Sequence, residues 1–81
     1  VKGVELEKIN WISGKVPEIN KKYFARIRYR QEKQWCELKI KDDKTFVGFE
    51  KVQNGVSLGQ SLVLYDGEEC LGGGVMGSIG E

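Results

Sequence analysis

The residues best suited to chemistry are three arginines at alternate positions of the stretch 23–30, YFARIRYR. Alternate side chains of a strand share one face, so Arg26, Arg28 and Arg30 would project together at intervals of about 6–7 Å. Successive phosphates of a nucleic-acid strand are similarly spaced, and guanidinium groups bind phosphate well. The stretch therefore predicts an arginine stripe (Arg26, Arg28 and Arg30) that binds phosphates, with Gln31 as an additional polar contact.

Neighbouring basic and aromatic residues could enlarge the arginine stripe. Lys39 and Lys41 would join it if the next strand pairs in register, and Phe24 and Trp35 could stack on an unpaired base. A simpler interpretation is a solvated strand face, and a third is that the arginines form ion pairs with another part of a larger protein. The predicted RNA-binding residues are Arg26, Arg28, Arg30, Gln31, Lys39 and Lys41.

Cysteine or metal chemistry has little support. The chain contains two cysteines, Cys36 and Cys70, and no histidine. A zinc site would lack ligands, and a reactive thiol needs a base or a positive neighbourhood. Two cysteines do not make a disulfide scaffold either, so we expect both to behave as small buried apolar residues. We predict no catalytic residue and no metal ligand in this chain.

Two clusters near the C-terminus have structural explanations. Gly72-Gly73-Gly74 could suggest a phosphate loop, but such a loop contains a lysine and leads into a helix, and neither is present. Close packing between strands, or a sharp corner of a barrel, explains the glycines better. The carboxylates Asp66, Glu68 and Glu69 surround a turn and are typical of a solvated sheet end.

These residues must be positioned by strands, because polar and apolar residues alternate in short runs and no helical period is present. The predicted strands cover 4–12, 23–30, 35–41, 45–50 and two runs within 59–76. Asp42-Asp43 and Asp66-Gly67 predict hairpin turns.

The faces of these strands follow from the alternation. Cys36, Leu38 and Ile40 should point inward, and Gly48 suggests a bulge. The pattern indicates an antiparallel sandwich or a small barrel, and a barrel would remove exposed sheet edges.

Length and composition limit the number of domains and the class of protein. A chain of 81 residues can form one small core, and no apolar run approaches the roughly 20 residues of a membrane-spanning helix. We expect one domain over residues 1–76 and a flexible tail over 77–81. Because the sequence starts at Val1 without a methionine, we expect a piece of a longer protein.

Charge is unevenly distributed along the chain. Residues 21–44 contain nine Lys or Arg against four Asp or Glu, whereas residues 45–81 contain one lysine against five acidic residues. The net charge of +1 therefore conceals a basic middle and an acidic end.

Several motifs together resemble one family. GQSLVLYDGEECLGGG at 59–74, ARIRYRQ at 25–31, and the strand containing Val47 and Phe49 are similar to the C-terminal domain of bacterial tRNA-specific 2-thiouridylases. The resemblance extends from about Ile9 to Val75. It implies an all-β fold, a small antiparallel barrel of about six strands, attached to a catalytic domain of the same polypeptide.

The resemblance also implies a function. Enzymes of this family activate the wobble uridine of certain tRNAs with ATP and replace its 2-oxygen with sulfur from a persulfide. Their ATP-binding loop, SGG-x-DS, is absent from this sequence. The family's sulfur-relay cysteines are expected to lie in parts of the enzyme outside this chain.

We therefore expect an accessory domain that contacts tRNA and has no cofactor of its own. ATP, the persulfide donor and a sulfur-relay protein would belong to the parent enzyme, which would be cytoplasmic. The alternative is a purely structural packing module with no RNA contact.

Overall fold

The computed structural model of the chain describes residues 2–19, 21–27, 33–53 and 56–80. These residues form six strands and no helix. The strands are β1 (Gly3–Trp11), β2 (Lys22–Arg26), β3 (Gln34–Lys41), β4 (Lys44–Phe49), β5 (Ser61–Asp66) and β6 (Glu69–Gly80). They close into an antiparallel barrel in the order β1-β4-β3-β2-β5-β6, with β6 pairing back onto β1. The predicted fold class is confirmed.

Alternation along the strands builds the core, as period 2 requires. The inward side chains are almost entirely apolar and lie within a single cluster. They are Val4, Leu6, Tyr23, Ala25, Ile27, Cys36, Leu38, Val47, Phe49, Leu62, Leu64 and Met76. Because every strand contributes at least one of these residues, the barrel has one continuous core.

Two longer connections join opposite walls of the barrel. The β1–β2 and β4–β5 connections each link strands that are three places apart in the barrel order, so they cross opposite ends. The Tyr23 hydroxyl donates a hydrogen bond to the Glu18 carbonyl oxygen at 2.8 Å, which holds the first connection to the barrel. In the second, the buried Gln53 side chain donates to the Lys51 carbonyl oxygen at 2.9 Å.

Both predicted hairpins are present. Asp42 and Asp43 have φ values of 53° and 63°, the conformation of a two-residue type I′ turn. The second turn lies one residue later than predicted, on Gly67-Glu68, because Asp66 still pairs with Glu69. Gly67 there has a φ of 62°, which glycine adopts without strain.

The glycines of β6 are explained by close packing, as predicted. Gly72 has a φ of 121°, and a β-carbon on it would collide with the Asn10 carbonyl oxygen of β1. A β-carbon on Gly73 would collide with the Leu62 carbonyl oxygen of β5. The backbone of β6 therefore lies directly against both neighbouring strands.

Two local expectations were wrong. Gly48 is not at a bulge, because it pairs in register with Gly3 and Glu37; the register shifts lie between β1 and β6 and between β5 and β6. Ile40 is 42% exposed, because it lies where β3 extends past β2 toward its turn. Strand β2 ends at Arg26, and residues 28–30 of the predicted strand lie outside the described residues.

The segment expected to be a flexible tail, residues 77–81, is described as far as Gly80. Strand β6 continues to Gly80, and Ser78 and Ile79 pair with Glu5 and Val4 of β1. The pairing that closes the barrel therefore includes this segment, and Ser78 additionally donates a hydrogen bond to the Glu5 carboxylate at 3.3 Å.

Candidate nucleic-acid interface

An aromatic row (Trp35, Phe24 and Tyr65) crosses the outer surface of three adjacent strands. Phe24 of β2 lies directly opposite Trp35 of β3 and Tyr65 of β5. The ring centroids of Phe24 and Trp35 are 4.0 Å apart with an interplanar angle of 32°. Trp35 remains 46% exposed. Cross-strand aromatic pairs stabilise a sheet, and here the pair also leaves an indole available to another flat ring.

Two cations lie over the last ring of the aromatic row. The Arg26 guanidinium carbon is 5.4 Å from the Tyr65 centroid, and the Lys33 ammonium is 4.3 Å from it. Lys33 Nζ also donates to the Gly67 carbonyl oxygen at 3.2 Å and lies 3.7 Å from a Glu68 carboxylate oxygen. These contacts tie the β5–β6 turn to the start of β3 and place positive charge beside the aromatic surface.

Arg26 has an incompletely satisfied side chain. Its Nε is buried and has no hydrogen-bond partner among the described residues. A buried donor without an acceptor is costly, so such groups in proteins commonly have a functional explanation. The remaining guanidinium donors lie next to the aromatic row, where a phosphate oxygen could accept from them.

The structure does not join Lys39 and Lys41 to Arg26, contrary to the expected register. Lys22 of β2 pairs with Glu37, so Lys39 lies beyond the end of β2 and instead pairs with Phe46 of β4. Arg26 is level with the opposite end of β3, about 20 Å from Lys39 along the strand. Lys39 and Lys41 are exposed but belong to a different part of the surface.

The other predicted contacts, Arg28, Arg30 and Gln31, lie outside the described residues. RNA contact by any of the six predicted residues stays a prediction.

A glycine groove (the concavity floored by Gly3 and Gly48) lies beside the aromatic row. Its volume is about 460 Å³. Gly48 of β4 is half-buried and pairs with Gly3 of β1, which is buried, and Phe46 lies along one wall. Charged side chains also line it: Lys2, Lys22, Lys39, Glu37 and Glu50.

Sequence reasoning missed Tyr65, Lys33 and the glycine groove. Tyr65 alternates outward with Val63, so its outward orientation was predictable from the strand pattern. That it lies beside Phe24 depends on the pairing of β2 with β5, which are separated by more than thirty residues and have no local pairing signal.

The two cysteines behave differently from each other. Cys36 is buried, and this burial, assisted by the nearby Glu37 charge, raises the pKa of its thiol from 9.0 to about 12. Such a thiol is a poor nucleophile at neutral pH. Cys70 is exposed, contrary to our expectation that both would be buried. Both are free thiols, and the described residues contain no cluster of three His, Cys, Asp or Glu that could hold a metal.

Two of the carboxylates near the β5–β6 turn, Asp66 and Glu68, lie beside lysines. Lys21 Nζ lies 2.6 Å from the Asp66 carboxylate, and this hydrogen bond raises the pKa of Lys21 above its usual value. Both side chains are substantially exposed, as is Glu68 beside Lys33. The arrangement fits a solvated sheet end, as the sequence indicated, rather than an acid–base pair in a cleft.

Fold and surface together define a small β-barrel module with a basic, aromatic outer face. The chain belongs to the aminomethyltransferase β-barrel domain family, whose family model matches residues 1–76. No helix in the described part of the chain is long and apolar enough to cross a membrane.

Its relatives include several tRNA-specific 2-thiouridylases. The chain is 45% identical over 74 residues to one from Aliarcobacter butzleri, covering 90% of this chain and 20% of the relative. It is 42% identical over 77 residues to one from Hahella chejuensis, covering 95% and 21%. It is 46% identical over 74 residues to one from Xanthomonas campestris, covering 90% and 20%. The predicted resemblance is confirmed, and the chain spans about a fifth of the length of these curated relatives.

Proposed function

We propose that this chain is an accessory domain of a tRNA 2-thiouridylase and that it contacts tRNA. The aromatic row, flanked by Arg26 and Lys33, is the observation that carries the proposal. Exposed aromatic rings beside cations are the combination that binds unpaired nucleotides, since rings stack on bases and cations neutralise phosphates. The names of the relatives make tRNA the natural choice of nucleic acid.

The predicted basic residues fit this role in two groups. Arg26, with Arg28, Arg30 and Gln31, would bind the RNA backbone next to the aromatic row. Lys39 and Lys41 would contribute a separate patch toward the β3–β4 turn, because the register keeps them away from Arg26.

The chemistry of thiolation would take place elsewhere in the parent enzyme. Gly72 and Gly73 are crowded by the carbonyl oxygens of Asn10 and Leu62, so this glycine run offers no cradle for the phosphates of ATP. ATP, the persulfide donor and a sulfur-relay protein would act on the catalytic part of the same polypeptide, in the cytoplasm. The barrel would hold tRNA and support that part.

A second candidate is a module that only packs against the catalytic domain. It is favoured by exposed apolar side chains at the β1–β2 end of the barrel, where Ile12 is 66% exposed and Val16 is 52% exposed. With Pro17 and Leu71 they line a second concavity of about 340 Å³. An exposed apolar surface of this kind is typical of protein contacts.

Titration of the isotope-labelled chain with tRNA at low and at physiological salt separates the two candidates. RNA contact predicts amide shifts at residues 24–41 and near Tyr65 that diminish as salt rises, because phosphate binding releases counterions. The absence of shifts at low salt would leave the packing module as the function.

Two charge-matched variants locate the contact. Replacing Arg26, Arg28 and Arg30 by Gln should weaken tRNA binding and reduce the slope of log affinity against log salt by about 2–3. The control replaces Lys8, Lys15 and Lys51 by Gln, which removes the same charge from other surfaces. Equal slopes for the two variants would exclude the arginine stripe as the contact.

A further inference from the structure

The glycine groove contains a glycine that the fold does not require. Gly48 has no positive φ, and a β-carbon built on it would meet no atom within 4 Å. Gly73, by contrast, faces a carbonyl oxygen at colliding distance. Glycine weakens a strand, and an uncrowded one often marks a place where another molecule approaches the backbone. Neither conformation nor packing within the described residues explains Gly48, which fits a position where another molecule approaches the backbone.

The shape of the groove suits a flat group. Gly48 leaves its part of the floor without a side chain, and it pairs directly with Gly3, which is buried. Phe46 forms part of the wall, two residues before Gly48 on the same outward face. A planar ring or a sugar can therefore approach the backbone at Gly48, where no side chain intervenes.

The charges of the groove favour an anion. Lys2, Lys22 and Lys39 line it, against Glu37 and Glu50. Lys22 Nζ lies 3.3 Å from the Glu50 carboxylate, but both side chains are more than half exposed. Such a pair contributes little to stability, so a phosphate could compete for Lys22 at small cost.

The groove is continuous with the aromatic row. Two residues that line the groove, Lys22 and Glu37, pair with each other across β2 and β3. The next pair on the same outward face of these strands is Phe24 and Trp35. This step is two residues along the strands, or about 7 Å. A base stacked on Trp35 would therefore place an adjacent nucleotide of an extended strand at the groove.

We propose that the glycine groove binds one nucleotide of an unpaired RNA segment. The phosphate lies between Lys22 and Lys39, and the sugar or base lies over Gly48. This inference rests on the proposed RNA contact and extends it from β2, β3 and β5 to β1 and β4.

A Gly48→Val substitution tests the groove, because the added side chain projects into it from a β-carbon that meets no atom within 4 Å. The probe is fluorescently labelled hexauridylate, with bulk tRNA as a second ligand. The control is Ser61→Val, which places a valine at an exposed outward position on β5, across the barrel from β4. Melting temperatures verify that both variants fold.

We expect Gly48→Val to weaken hexauridylate binding about tenfold and Ser61→Val to change it less than about twofold. Hexauridylate should also shift the amides of Gly48 and Phe46 in the unsubstituted chain.

Equal affinities of Gly48→Val and the unsubstituted chain for hexauridylate would overturn RNA binding by the groove while leaving RNA contact by the aromatic row intact. No binding of either RNA at low salt would overturn the proposed function and this inference with it. Shifts at Gly48 that depend on protein concentration alone would assign the groove to a second copy and overturn its role in RNA binding.

Discussion

Glycines occupy two regions of this barrel for opposite reasons. In β6, Gly72 and Gly73 allow the backbone to lie against β1 and β5, where a side chain would collide with a carbonyl oxygen. In β4, Gly48 faces open space on the outer surface. Glycine therefore closes the barrel on one wall and leaves a groove on the other. The environment of each glycine, rather than the residue type, indicates whether it serves the fold or a ligand.

The largest effect that tests this comparison is expected from Gly73→Val. The new side chain would occupy the position of the Leu62 carbonyl oxygen, so β5 and β6 must separate. Domains of this size have about 4–12 kcal/mol of stability, and we expect a loss of several kcal/mol. Urea denaturation measures it, with Gly48→Val as the control. A melting temperature within about 4 °C of the unsubstituted chain would contradict the crowding of β6.

Close packing of β6 was predictable because three consecutive glycines in a strand need a cause and no phosphate-loop features accompany them. The buried face of β2 was equally predictable from the alternation of Tyr23, Ala25 and Ile27. The candidate site was harder to predict from the sequence. Its aromatic row needs the pairing of β2 with β5, and its groove needs Gly3 beside Gly48, forty-five residues later in the sequence.

Such long-range registers depend on barrel closure, which local patterns do not encode. For the same reason we predicted Lys39 to lie beside the arginine stripe, whereas the offset between β2 and β3 separates Lys39 from Arg26. Exposure of Cys70 was missed because the shift in register between β5 and β6 changes which residues face outward.

A second prediction tests whether the wall beneath the groove is as well packed as the rest of the core. Cys36 lies on the inner face of β3 there, and its pKa is raised from 9.0 to about 12, mainly by burial. Between these values the unfolded chain loses the thiol proton and the folded chain keeps it. Stability should therefore fall as pH rises above 9, with a contribution from Cys36 of up to about 1.4 kcal/mol per pH unit.

Urea denaturation at several pH values from 8 to 11 measures this slope. Cys36→Ala should have a shallower slope, and Cys70→Ala should keep the slope of the unsubstituted chain. The buried Tyr23, whose pKa is also raised by desolvation, adds a similar decline at higher pH in all three proteins. Identical slopes for Cys36→Ala and the unsubstituted chain would show that water reaches the wall beneath the groove.

The smallest effect is expected for the stability of Gly48→Val, and it completes the comparison. Valine suits an extended strand position, and glycine there costs about 0.5–1 kcal/mol relative to a residue with a side chain. Since nothing lies within 4 Å of the new β-carbon, the variant should be as stable as the unsubstituted chain or more stable by about that amount. A fall of more than about 1 kcal/mol would mean that Gly48 serves the fold as Gly73 does. Unchanged or increased stability combined with weaker RNA binding would mean that the chain retains glycine at this position at a cost to its own stability, which is expected where backbone must remain open to a ligand.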